Sequence, residues 1–407
     1  DVQFPVRALL VNWRSLRVLD LSRLNITDLP NVIGGLLHLR WLDLSDNKMK
    51  MLPTSLTKLI NLQFLDLNGC NKLEELPEDF NELVNLSILL VPLGPGVLRY
   101  MPLGMEKMAC LTTLNQFTIG QRKSSMKREV RLEDLRFPRN LRGSLRICIR
   151  RDYKHSQEYG RGGYLCNTEY LKSITIMWPN EIYEGRMGND DDGGGVLEDL
   201  QPHGNLKELS IWNYPGLRIP RWAREDGLAA SLPNLVKIVL EDCDGLKELP
   251  WLGKLQHLKT LELRGLSNLE YIEHKETGTN TGSRSDRAAT AIAPGSSTAV
   301  EITESSIFFP SLEELDLHKL PKLKGWWIGI RDGQRASSDG SAQTASVEQL
   351  PLFPRLSRVD ISDCPNLRSI PLGPAVDTLT LFRSGIVEEE EDEKVVSSRS
   401  SNDCGNW

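Results

Sequence analysis

The sequence predicts a curved α/β solenoid, with a parallel β-sheet on its concave face and irregular or short helical segments on its convex face. Three observations carry that prediction. Leu16, Leu19 and Leu21 recur as Leu39, Leu42 and Leu44 and again as Leu62, Leu65 and Leu67, each triplet written L-x-x-L-x-L and 23 residues from the last. A unit that short cannot bury its own apolar side, so neighbours must stack over one continuous core, as leucine-rich repeats do. Three residues beyond the last apolar position stands an amide or a small thiol: Asn47, Cys70, Cys243 or Cys364. A Leu-Pro pair then follows, at Leu29-Pro30, Leu52-Pro53, Leu76-Pro77 and Leu249-Pro250, with Met101-Pro102, Ile219-Pro220 and Ile370-Pro371 as variants.

Each triplet reads as a short strand whose alternating residues point inward while the x positions face the concave side. An inward Asn can bond the backbone groups left open by the turn, and Cys fills the same slot as a small buried group. Proline fixes φ and donates no hydrogen bond, which suits the exit toward the convex side. Segments such as 54–59 (TSLTKL) and 78–83 (EDFNEL) then place an apolar pair three residues apart, the spacing of a helical turn.

Roughly thirteen strands follow. Those from Leu16, Leu39, Leu62 and Leu86 are clear, and Leu111-x-x-Leu114-x-x-Phe117 is a degenerate fifth. Arg142 to Ile147, Leu171 to Ile176, Leu206 to Ile211, Leu235 to Leu240 and Leu258 to Leu263 come next, then Leu312 to Leu317, Leu356 to Ile361 and Val376 to Leu381. The expected organisation is therefore regular repeats over 1–120, irregular repeats with a basic segment and a polar loop over 121–200, and repeats again over 201–273. A disordered insertion is expected at 274–306, C-terminal repeats over 307–386 with a polar insertion at 328–350, and an acidic disordered tail over 387–407. The loop within the second block is 184–195, EGRMGNDDDGGG.

A formal charge of −6 on 407 residues gives no general case for nucleic-acid or membrane binding. No apolar run approaches the length of a membrane span, and no basic-then-apolar leader is present. Seven dispersed cysteines without a CxxC pair favour reduced thiols in a cytosolic or nuclear protein. The sequons at Asn25 and Asn85 then read as chance matches, and a start at Asp1 reads as a piece of something longer. Catalytic signatures are absent: Gly253-Lys254-Leu255 lacks the spacing and hydroxyl of a phosphate loop, and Asp190-Asp191-Asp192-Gly193 lacks the alternation of a calcium loop. Scattered histidines form no ligand pair. No catalytic residue, metal site or cofactor is expected.

The candidate binding residues are on the first strands. Asp20, Asp43 and Asp66 share one x position and would stack about 4.8 Å apart, either as an acidic stripe for a basic partner or simply as the repeat's own L-D-L consensus. Arg17, Arg40 and Gln63 run beside them, as do Val18, Trp41 and Phe64; the two aromatics should lie side by side on the concave face, where exposed rings make contacts. A second candidate is the basic stretch 122–151, including Arg128, Arg131, Arg142 and Arg146, with eleven Lys and Arg against three acidic residues. No aromatic pattern interleaves with these charges in sequence, so an acidic protein surface fits them better than nucleic acid.

The run from Leu16 to Leu86 resembles the repeats of plant intracellular disease-resistance receptors of the coiled-coil, nucleotide-binding, leucine-rich-repeat type. So does the succession RYMPLGMEKMACLTTLNQFTIG (99–120), LRGSLRI (141–147), VLEDLQPHGNLKELSIWNYPGLRIPRW (196–222), LPNLVKIVLEDCDGLKELPWLGKLQHLKTLELRGLSNLEYI (232–272), FFPSLEELDLHKL (308–320) and FPRLSRVDISDCPNLRSIP (353–371). The match covers about residues 15–386. The resemblance implies a non-catalytic repeat domain that senses pathogen effectors, directly or through a guarded host protein, and holds the receptor's nucleotide-binding module off. It also implies a cytoplasmic place, with nucleus or plasma membrane reached through partners. The coiled coil and nucleotide-binding module are missing from this sequence. The alternatives are a general intracellular scaffold or ubiquitin-ligase adaptor and an extracellular ectodomain. The last is disfavoured because the L-x-G-x-I-P element, cysteine caps and a leader are missing.

Overall fold

The computed structural model describes residues 13–94, 97–120, 137–150, 153, 163–179, 192–224, 227–273, 309–327, 353–368 and 375–386. The insertions 274–306 and 328–350, the tail 387–407 and, of the basic segment, Arg128 and Arg131 lie outside these residues.

Two parallel sheets carry the concave face. The first holds β1 (Val18–Asp20), β2 (Trp41–Asp43), β3 (Phe64–Asp66), β4 (Ile88–Leu90) and β5 (Thr113–Leu114) in chain order. The second holds, also in order, β6 (Gln116–Ile119), β7 (Gly143–Ile149), β8 (Leu171–Met177), β9 (Glu208–Trp212), β10 (Lys237–Glu241), β11 (Thr260–Arg264), β13 (Glu314–His318), β15 (Arg358–Ser362) and β16 (Thr378–Phe382). β12 (Tyr271–Glu273) and β14 (Gly325–Trp327) form a separate parallel pair. All thirteen triplets are strands, but the fifth is divided between the two sheets.

The division has a local cause. Leu114 and Phe117 are separated by one residue more than the beat allows, so the chain must place an extra residue, Asn115. The Asn115 amide stands in for strand backbone: Nδ2 donates to the Val91 carbonyl at 2.8 Å and Oδ1 accepts the Val91 N–H at 2.8 Å. Nδ2 also reaches Asn68 Oδ1 at 3.0 Å. Beside it, buried Gln116 accepts the Gly94 N–H and donates to Thr118 Oγ1 at 3.2 Å.

Inward leucines form one cluster running from Leu19 to Leu367, and most of its members are fully buried. Each such side chain contributes about 1.5–3 kcal/mol through area removed from water. The Asn47 slot behaves as expected: Nδ2 donates to the carbonyls of Leu21 (2.8 Å) and Leu44 (2.9 Å), and Oδ1 accepts the Ile26 N–H at 2.9 Å. Cysteine fills the slot with weaker bonds, Cys70 Sγ to the Leu44 carbonyl at 3.1 Å and Cys243 Sγ to that of Ile211 at 3.6 Å. Burial pushes the Cys243 thiol up to about 12 and raises Cys70 and Cys364, so none of the three is a ready thiolate.

One repeated feature lies outside the leucine, slot and Leu-Pro pattern. Two residues beyond the last apolar strand position the backbone is left-handed, at Arg23, Asp46, Gly69, Asn213, Asp242, Gly265, Lys319, Asp363 and Arg383. The N–H there crosses to the next repeat, as from Asp46 to the Asn68 carbonyl and from Asp242 to that of Arg264. Gly and Asx residues take this conformation at least cost, and Arg or Lys pay the ordinary side-chain penalty.

The convex side returns through 3-10 turns at Asn31–Gly35, Thr54–Lys58, Phe80–Glu82 and Met105–Lys107. Pro30 and Pro53 sit just ahead of the first two in extended conformation, so proline sets the entry to the convex turn. Two α-helices occur among the described residues, α1 (Asp192–Asp199) and α2 (Gly227–Ser231). The first corrects the sequence expectation of a loop through 195: residues 192–195 open a helix because Val196, Leu197 and Leu200 behind them are buried in the core. Residues 184–191 lie outside the described set. At the far end β16 is exposed along its length, with Leu379 and Leu381 about 45% and 44% exposed.

Candidate protein-recognition face

Register fixes what the first sheet displays. Val18, Trp41, Phe64, Ile88 and Thr113 stand in one row across β1 to β5, and Asp20, Asp43, Asp66 and Leu90 in the next row on the same face. Trp41 and Phe64 stack with ring centroids 3.5 Å apart and planes within 6°, while Trp41 keeps 42% of its surface exposed. Val18 is 61% exposed at the start of the row, and Phe64 and Ile88 are half-buried. Arg17, Arg40 and Gln63, each just before its strand, are exposed.

The aspartate ladder has a structural task. Oδ1 of Asp20, Asp43 and Asp66 accepts the N–H two residues on, from Ser22 (2.9 Å), Ser45 (2.8 Å) and Asn68 (2.8 Å). These bonds hold the turn that follows each of the three strands, which are three residues long. The bond from Ser22 holds the Asp20 carboxyl below its usual range. Burial dominates at Asp66 and raises its carboxyl, with the Asn68 N–H opposing and the charges of Asp43 and Asp46 adding to the rise. The consensus reading thus accounts for one oxygen of each carboxylate, and at Asp20 the Ser22 side chain adds a second hydrogen bond.

On the second sheet a group of concave charges pairs internally. Lys237 Nζ meets Glu262 at 2.6 Å, and Arg264 bridges Glu262 at 2.9 Å and Asp316 at 2.5 Å. His318 Nδ1 and Ser362 Oγ lie 2.5 Å apart beside them. Of the basic segment, Arg142 is stacked on Tyr170 with its guanidinium carbon 4.9 Å from the ring centre, and Arg146 on Trp212 at 5.4 Å. The partners come from neighbouring strands and loops, which is why no aromatic pattern is visible beside these arginines in sequence. Arg150 joins Lys50, Lys72 and Arg99 around a polar concavity of about 420 Å³; Glu74 and Glu75 pair with Arg99 there. The described residues contain no group of three or more His, Cys, Asp or Glu placed to hold a metal ion. Nor does any described helix have the length and apolarity to cross a membrane.

The stacked repeats, their Asn or Cys slots and their parallel concave sheets define a leucine-rich-repeat protein, and the chain belongs to the family described as leucine-rich repeat region, whose model matches residues 3–367. Curated relatives are plant disease resistance proteins. It is similar to disease resistance protein RGA2 of Solanum bulbocastanum (32% identity, 65% of this chain, 27% of the relative) and putative disease resistance protein RGA4 of the same species (31%, 93% and 34%). Putative disease resistance RPP13-like protein 1 of Arabidopsis thaliana is 28% identical over 58% of this chain and 19% of its own length. The chain thus spans about a third or less of these relatives. Among solved structures, an internalin-J domain from Listeria monocytogenes matches at TM-score 0.38 and 16% identity, over 76% of this chain and 57% of that one. YopM from Yersinia enterocolitica matches at 0.38 and 19%, over 93% and 66%. Those two likenesses are too loose to bear on the site.

Proposed function

We propose that this chain is the sensor and autoinhibitory repeat domain of a plant immune receptor, working in the cytoplasm and binding protein partners through the concave face of its first sheet. Its partners in this reading are a pathogen effector or guarded host protein and the receptor's nucleotide-binding module. The observation that carries the reading is the stacked Trp41–Phe64 pair: an exposed Trp41 ring backed by half-buried Phe64 on a face flanked by Arg17, Arg40 and Asp20. Exposed aromatics beside charge are the usual composition of a contact centre. Similarity to disease resistance proteins supplies the defence context. The fold favours a binding role, since stacked repeats present an extended surface to a partner. The test replaces Trp41 and Phe64 together by Ala in a receptor reassembled from this chain and the nucleotide-binding module of a relative. Loss of the effector response, or signalling without effector, is expected; a receptor that keeps both response and restraint overturns the reading.

A further inference from the structure

The rows around the aromatic stack also specify the shape of what fits there. We propose that the first sheet takes an amphipathic α-helix laid across its strands, with Lys or Arg on the flank facing Asp20, Asp43 and Asp66 and acidic residues on the flank facing Arg17 and Arg40. This deepens the recognition reading above and rests on it.

Spacing decides between a helix and an extended segment. Val18, Trp41, Phe64 and Ile88 occupy successive strands, about 4.8 Å apart, and give an apolar stripe of about 14 Å. Neighbours on one helix face, three or four residues apart, are about 5–6 Å apart, so a helical ridge keeps step with these rows. Same-face residues of an extended peptide are about 6.6 Å apart and fall out of step after one row. The backbone groups of β1 to β5 are also directed to one another within the sheet, so the face offers an extended chain no ladder to join. A stripe of 14 Å corresponds to about ten helical residues.

Width and charge agree. From Arg17 to Asp20, and from Arg40 to Asp43, the chain advances three residues, about 10 Å, close to the 10–12 Å diameter of a helix with its side chains. The apolar row lies between, and among the described residues Arg17, Arg40, Asp20 and Asp43 form no ion pair; the nearby pairs are Arg23–Asp46 and Arg99 with Glu74 and Glu75. A helix with opposite charges on its two flanks fills the stripe and answers both rows. On the second sheet Glu262 and Asp316, at the aspartate position, are already paired with Lys237 and Arg264, and Lys259, at the Arg40 position, is paired with Glu313.

The test is selection of a displayed library of random 14-residue peptides on the 407-residue chain. The W41A/F64A double variant, checked by circular dichroism for an unchanged fold, serves for counter-selection. Enriched peptides are expected to carry apolar residues at i, i+3 or i+4 and i+7, with basic residues along one flank and acidic along the other. The best peptide is then titrated by fluorescence anisotropy. Reversing its basic flank to Glu should weaken binding tenfold or more, and Arg40→Glu should weaken it against the acidic flank, both losses shrinking at high salt. Enrichment of alternating apolar-polar sequences, or of none that depends on Trp41 and Phe64, overturns the helix. The recognition reading would then still be judged by the reassembled receptor. A receptor indifferent to the double variant, with helical peptides still bound, would instead remove the role and leave the site.

Discussion

Strands β1 to β3 and strands β9, β10, β11, β13 and β15 rest on the same leucine beat, yet the more regular sequence makes the shorter strands. In the first sheet an aspartate in the strand takes the N–H two residues on, and Asn47 takes the Leu21 carbonyl that a neighbouring strand would otherwise meet. The strand ends after three residues, although the N–H groups of Leu44 and Asp46 still cross to the next repeat. In the second sheet Ser210, Val239, Glu262, Asp316 and Asp360 stand at that position, no such capture occurs among the described residues, and the strands run to five. The first sheet is thus narrow, with open charge rows flanking an apolar stripe; the second is broad, and Lys237, Glu262, Arg264 and Asp316 pair within it.

The largest expected effect tests whether both sheets stand on one kind of core. Leu65→Ala and Leu261→Ala, each at a fully buried position, should lose about 2–5 kcal/mol in denaturant melts. Leu381→Ala, on the exposed last strand, should lose no more than about 1 kcal/mol. A Leu65→Ala chain melting like the parent would break the register of the first sheet.

The slots come next. Asn47→Ala leaves the carbonyls of Leu21 and Leu44 and the Ile26 N–H without their buried partner and should cost about 1–3 kcal/mol. Cys243→Ala removes only long sulfur contacts and should cost about 1 kcal/mol. Equal losses in chemical melts would contradict the idea that the first sheet depends more on its slot.

Left-handed turns offer a change of opposite sign. Lys319→Gly relieves a side chain at φ 53° and should stabilise by about 1 kcal/mol. Gly265→Ala, at φ 65° with its new Cβ against the Asp242 carboxylate, should destabilise by about 1–2 kcal/mol. Thermal scans of the two variants should therefore move apart from the parent.

The smallest effect concerns the aspartate ladder. Because burial raises the Asp66 carboxyl, the folded chain holds that proton more tightly than the unfolded chain does. Ionising it therefore costs stability, a cost absent below the ordinary carboxylate value and complete above the raised one. Asp66→Asn keeps an acceptor for the Asn68 N–H and should melt higher than the parent at pH 7, the difference closing as pH falls through the raised value. A difference that grew on acidification would reverse the sign assigned here.

Much of the fold could be read from residues alone because leucines, the Asn or Cys slot and Leu-Pro each state a local requirement at fixed spacing. The break at Asn115 was visible only as one extra residue between Leu114 and Phe117; that a side-chain amide would substitute for strand backbone depends on its neighbour Val91. The β12–β14 pair joins residues more than fifty positions apart, and Arg146 finds Trp212 two strands away, so neither leaves a local signal. Of the candidate site, the side-by-side placement of Trp41 and Phe64 followed from register. The turn-holding role of the aspartates did not, since it needs the position of the N–H two residues on.

Site-specific photo-crosslinking tests most directly whether the first sheet is the contact face. Benzoylphenylalanine would replace Phe64 in one reassembled receptor and Thr260, on the concave face of the second sheet, in another, with illumination before and after effector challenge and adducts located by mass spectrometry. Adducts to the nucleotide-binding module or the effector from position 64, and background levels from position 260, are the predicted result. Adducts from position 260 with none from position 64 would contradict it.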